Sequence, residues 1–100
     1  MIVAFSISPT ATDETGSVSE AVAAAVRVVR DSGLPYELNS MFTNVEGEWD
    51  EVMAVVKQAV DVVAATSPRV GLVLKADIRP GFEGQLTAKV QRVERALADS

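Results

Sequence analysis

Asp77 stands two residues after Lys75 and two before Arg79, a carboxylate with a base on either side. On a strand all three share one side. A carboxylate so placed accepts from an aminopyrimidine or balances a ligand's positive charge. A surface ion pair that contributes little is the plainer reading of the same residues. Asn39, Met41 and Thr43 alternate through a short hairpin. Such a polar and polarizable set orients a ring by hydrogen bonds and sulfur contact, although turn chemistry alone also explains Asn39. Trp49 follows Glu46 and Glu48. An aromatic face beside carboxylates suits a cation, while a lone tryptophan on a helix also serves simply to pack.

Other groups are easier to set aside. Ser6 and Ser8 have no histidine to activate them, so they read as hydrogen-bonding hydroxyls rather than nucleophiles. Glu46 and Asp77 would suit a general acid and base, but nothing local brings them together. Glu48, Asp50 and Glu51 lack the ligand spacing of a calcium loop and read as a solvated first helical turn. Gly81-Phe82-Glu83-Gly84 is followed by no phosphate-loop lysine, so it does not read as a nucleotide cradle.

Composition narrows the chemistry further. The 100 residues suit one domain, residues 1–100, and the 48% hydrophobic and 23% charged content is that of a folded globular chain. With no cysteine and no histidine, the commonest metal ligands and the commonest general base are missing. No metal site, no cofactor and no catalytic residue is expected. The net charge of -5 and the scattered bases argue against nucleic acid and suit a cationic small molecule. The opening Met1 to Ser6 has no basic signal region, and no apolar run approaches the roughly 20 residues of a membrane span. The expectation is a cytoplasmic protein with no membrane partner.

The elements that must position these residues follow from periodicity. Val3, Phe5 and Ile7 alternate with Ala4, Ser6 and Ser8, which predicts a strand ended by Pro9. Ser17-Val18-Ser19-Glu20 matches a capping box, and Val18, Val22, Ala25 and Val29 carry a helical stripe to Ser32. Gly33 and Pro35 end that helix. Tyr36 to Asn39 and Phe42 to Glu46 read as two short strands around a turn at Ser40. A second helix runs from Glu48 to Thr66, a strand from Arg69 to Arg79, and a closing helix carries Leu86, Val90, Val93 and Leu97.

The order β-α-β-β-α-β-α predicts an α+β fold. Its first six elements form a split βαβ unit, a four-stranded sheet with two helices on one face, and a C-terminal helix is added. Val3, Phe5, Ile7, Leu72 and Leu74 are expected beneath the helices. Ala4, Ser6, Ser8, Lys75, Asp77 and Arg79, with Asn39, Met41 and Thr43, are expected on the opposite face.

Four stretches together resemble a known family: Phe5-Ser6-Ile7-Ser8-Pro9, Ser17-Val18-Ser19-Glu20, Tyr36 to Thr43, and Glu46 to Met53. Lys75-Ala76-Asp77-Ile78-Arg79 is similar to its last-strand motif. The family is that of the thiamine-binding proteins, and the likeness covers nearly the whole chain. It implies a ferredoxin-like βαββαβ subunit that assembles into dimers or tetramers and binds thiamine or its hydroxymethylpyrimidine moiety without an established reaction. Phe42 stands where members often carry a glycine or similar small residue, and Asn44 where they often carry a hydrophobic one. Both departures bear on pocket size or ligand.

The expected function is therefore ligand binding in vitamin salvage, buffering or delivery, by a protein that is not an enzyme. The expected site comprises Ser6, Ser8, Asn39, Met41, Thr43, Trp49 and Asp77. The competing reading is a structural or regulatory domain that oligomerises through its free sheet face.

Overall fold

The computed structural model describes residues 1–9 and 19–99. Its elements are β1 (Ile2–Pro9), α1 (Ser19–Asp31), β2 (Tyr36–Leu38), β3 (Thr43–Glu46), α2 (Trp49–Ala64), β4 (Val70–Asp77) and α3 (Gln85–Ala98). The expected order is the observed one. Of the N-terminal capping motif of α1, Ser17 and Val18 lie outside the described residues.

The strands form one antiparallel sheet in the order β2-β3-β1-β4, the ferredoxin-like arrangement expected of a split βαβ chain. β1 is central and pairs unequally with its neighbours. It matches β4 from Ile2↔Asp77 to Pro9↔Val70, but β3 only from Ile2↔Glu46 to Phe5↔Thr43.

Because directly opposed residues in an antiparallel pair share a face, Val3, Phe5, Ile7, Val45, Thr43, Leu74 and Leu72 point the same way. Val3, Phe5, Ile7 and Val45 are buried under α1 and α2 with Ala25, Val29, Val52, Val55, Val56, Ala59 and Val63. The helical stripes are set by spacing: Ala25 and Val29, then Val52, Val55, Val56, Ala59 and Val63, recur every three or four residues. Chain reversal after α1 uses Gly33, whose φ of 79° lies in the left-handed region open to glycine.

Two expectations about faces need correction. Thr43 pairs with Phe5 and is only 7% exposed, so it faces the helices rather than the opposite side. The turn at residues 39–42 shifts its parity relative to Asn39 and Met41. Leu72 has the expected parity but is 44% exposed, because β4 is an edge strand and the core packs mainly over β1 and β3.

Nor is the other face free of helix. Glu46, Ile2 and Asp77 form one row across β3, β1 and β4 on that face. The Glu46 carboxylate accepts from the backbone amides of Gln85 (2.9 Å) and Leu86 (3.2 Å) at the start of α3. One turn on, Lys89 donates to Asp77. α3 thus crosses the end of the sheet from β3 towards β4. Burial beneath this crossing leaves Glu46 only 7% exposed. Gly84, at φ 67°, precedes the helix and supplies no side-chain cap, so a carboxylate 39 residues away does that work.

Glu46→Ala would strip both amides of their acceptor. A lost cap costs about 1 kcal/mol, up to about 2, and α3 has no buried residue to compensate. Amide hydrogen exchange should speed up throughout α3 while β1 and β4 keep their protection. Unchanged exchange in α3 would refute this role for Glu46.

Candidate functional site

The unequal pairing of β1 creates the site. From Ser6 onward β1 has no ladder partner on the β3 side, because β3 begins at Thr43 opposite Phe5. The space is bounded by Ser6 to Pro9 of β1, by Val22 of α1 and by the hairpin from Leu38 to Thr43. This notch has a volume of about 350 Å³, within the range of small-molecule pockets.

The hairpin is rigidly built. The Asn39 amide donates to the Phe42 carbonyl at 3.0 Å. The Asn39 side-chain oxygen accepts from the amides of Met41 (2.9 Å) and Phe42 (2.8 Å). The turn reading of Asn39 is therefore correct, and it leaves the side-chain NH2 without a partner among the described residues. Met41 is 72% exposed at the loop tip and Thr43 is buried at the base. Ser6 and Ser8 share one side of β1, spaced by the two-residue repeat of a strand.

Five of the seven residues singled out in the sequence thus line one notch: Ser6, Ser8, Asn39, Met41 and Thr43. Asp77 and Trp49 do not join them. Asp77 pairs with Ile2, six residues along β1 from Ser8, which places it about 20 Å away at the strand rise. There it is hydrogen-bonded to Lys89, as the plain ion-pair reading had it. Trp49 opens α2 and is 54% exposed, lining neither the notch nor the core. Pro9, Leu38 and Phe42 also line the notch. Sequence reasoning missed Leu38, and only the register of the hairpin reveals it.

Among the described residues the lining is uncharged. It offers hydroxyls, a side-chain amide, a thioether and an aromatic ring. Such groups can hydrogen-bond to the edge of a flat polar ring and pack on its face. None of these described side chains carries a charge to balance a cation within the notch. Among the described residues no cluster of acidic side chains has the arrangement to hold a metal ion, and no helix is long and apolar enough to cross a membrane.

A family model described as thiamine-binding protein matches residues 3–94. The chain belongs to that family. The UPF0045 protein Mb1933 of Mycobacterium bovis is 53% identical over 98 residues, covering 97% of this chain and 94% of the relative. The UPF0045 protein sll0230 of Synechocystis is 35% identical, covering 84% of this chain and 70% of that one. The fold is also that of solved structures. The MJ1052 protein of Methanocaldococcus jannaschii superposes with a TM-score of 0.83 at 31% identity, over 93% of this chain and 94% of its own. A Thermotoga maritima protein provisionally assigned to thiamine biosynthesis or salvage superposes with a TM-score of 0.75 at 25% identity, over 90% and 96%.

At the other end of the sheet, the hydrogen bond from Lys89 and then its charge hold the Asp77 carboxyl below its ordinary value, with desolvation opposing the effect and Arg79 adding to it. A carboxylate with a lowered folded-state pKa stabilises above the unfolded pKa and loses that contribution as pH falls through the folded value. Acidification from about pH 6 to below about pH 3 should therefore weaken the seat of α3. Asp77→Asn should show less α3 protection at neutral pH and a smaller further loss on acidification, read by hydrogen exchange at low salt. Equal acid sensitivity in parent and variant would remove Asp77 from the account.

Proposed function

We propose that this protein binds thiamine or its hydroxymethylpyrimidine moiety in the notch between β1 and the β2–β3 hairpin, and that it does so without catalysing a reaction. The observation that carries the reading is the convergence of Ser6, Ser8, Asn39, Met41 and Thr43 around one uncharged cavity in a chain of the thiamine-binding family. The NH2 of Asn39, without a partner among the described residues, and the serine hydroxyls suit the ring nitrogens and amino group of a pyrimidine. Phe42 and Met41 supply surfaces to pack on its face. With no histidine or cysteine anywhere, the notch has no activated nucleophile to attack a bound ring. Salvage, buffering or delivery of the vitamin in the cytoplasm is the corresponding role.

An uncharged notch makes a specific demand. The pyrimidine end must carry the recognition and the thiazolium of thiamine must lie outside. Hydroxymethylpyrimidine should therefore bind within about tenfold of thiamine in a calorimetric titration. Ser8 is exposed, so Ser8→Ala should leave the melting temperature alone and weaken both ligands by about threefold to tenfold, the loss of one hydrogen bond. Binding of thiamine with no measurable binding of the pyrimidine would place the recognition elsewhere.

Self-association belongs to the same reading. Val90, Val93 and Leu97 lie along one side of α3 and are exposed, Leu97 to 67%, and Val73 on the α3-side face of the sheet is 59% exposed. A chain of this size gains stability by covering such surface. At micromolar concentration, light scattering should give at least a dimer mass, tetramer included. Val93→Asp combined with Leu97→Asp should lower it. A monomeric parent would count against self-association and leave ligand binding untouched.

A further inference from the structure

A second cavity, of about 620 Å³, opens at the end of the sheet opposite the notch. It lies between the start of α2, the chain entering β2 and the loop that leads into α3. Its walls are apolar and aromatic: Leu34, Pro35, Tyr36, Phe82 and Leu86. Tyr36 and Phe82 are 38% and 43% exposed, so ring surface is available to an occupant. The wall behind Gly47 is tight, since a Cβ there would meet Val52 at 3.1 Å and Leu34 at 3.3 Å. Any larger residue at this position would push those side chains apart.

The charged side chains that line the cavity are all acidic. Glu46, Glu48, Glu51 and Glu83 line it, and no lysine or arginine does. Three of these carboxylates are partly engaged, Glu48 through the capping box in which it accepts from the Glu51 amide. Glu46 holds the first amides of α3, and Glu51 accepts from the Glu48 amide at 3.3 Å. Two helix N-termini face the same space, each equivalent to about half a positive charge. Together they offset about one of four carboxylates. Arg79, whose guanidinium stacks over the Phe82 ring 3.5 Å from its centroid, brings about one more positive charge to the cavity's edge. The balance is still about two negative charges over an apolar floor. An anion is repelled there, and a neutral ligand makes no use of the charge.

We infer that this cleft is a binding site for an organic cation, an ammonium group attached to an aromatic or aliphatic body of small size. The cation sits towards Glu48, Glu51 and Glu83 and the body packs on Tyr36 and Leu86 and against the Phe82 ring, over which Arg79 already stacks, while the Tyr36 ring face adds cation–π attraction. The site is separate from the notch in residues and in chemistry, so it stands whether or not the notch takes a pyrimidine.

Benzyltrimethylammonium is the probe, because it has no hydrogen-bonding group for the notch to read. Titrated into the full chain at low salt, it should shift the amide resonances of Tyr36, Gly47, Gly84 and Leu86 saturably and leave those of Asn39 to Thr43 in place. Benzyl alcohol, its neutral counterpart, should bind at least about tenfold more weakly, and raising salt from about 20 mM to about 300 mM should weaken the cation several-fold. Glu83→Gln, on an exposed loop, should cost about threefold. Adding Glu51→Gln, which keeps the capping geometry of α2, should bring the loss to about tenfold. Glu83→Gln alone decides the matter if the double variant melts early. Equal affinity for benzyl alcohol, shifts confined to other surfaces, or indifference to Glu83→Gln would each overturn the inference. Glu83→Gln should leave the titration with the neutral hydroxymethylpyrimidine unchanged, so failure here and failure at the notch are read separately.

Discussion

β1 pairs with β4 along its whole length and with β3 along only half of it. Backbone amides and carbonyls cannot be left dry, so a strand that outruns its neighbour must meet solvent or a ligand on that side. Here the overrun carries Ser6 and Ser8, and the hairpin closes beside it with its own amides satisfied by the Asn39 side chain. A polar recess bounded by rigid elements is the result. At the other end β3, β1 and β4 finish level, and the row Glu46, Ile2 and Asp77 provides the platform that α3 crosses. The two ends of the sheet thus acquire different chemistry from one difference in ladder length.

Glu46 shows how far a local carboxylate reaches. Its parity directs it away from the core, and in a bare four-stranded sheet it would be solvated. Because Gly84 brings the chain into α3 without a cap of its own, the helix takes its cap from β3. One hydrogen-bonding group therefore joins the second half of the sheet to the last helix, and a wall of the acidic cleft depends on it.

Most of the fold was legible in the sequence because its signals are periodic. The two-residue alternation of Val3, Phe5 and Ile7 and the three-to-four spacing of Val52, Val55, Val56 and Ala59 are properties of single elements, and they hold. Thr43 was misplaced because its face depends on the count of residues in the turn, and the Asx-type bonds of Asn39 make that count visible only in three dimensions. The site residues on β1 and the hairpin converge because they lie on neighbouring strands. Asp77 is also on a strand beside β1, but antiparallel register sends it to the far end. Residue type nominated it, and only register could separate it from the serines. The acidic cleft was not legible at all, since its walls come from three connections whose approach no periodicity encodes.

The two edges of this sheet are unequally protected. β2 is three residues long and carries Glu37, so it offers little backbone to an incoming strand. β4 is eight residues long, reads Val-Gly-Leu-Val-Leu before its first charge at Lys75, and among the described residues nothing pairs with its outer side. An uncharged apolar run on an open edge is the kind of segment on which chains add as cross-β. The charges that would discourage this, Lys75 and Asp77, gather at the end where α3 crosses. Half of the edge is guarded by the helix and its ion pair, and the half from Val70 to Leu74 is where misassembly of this small protein would begin.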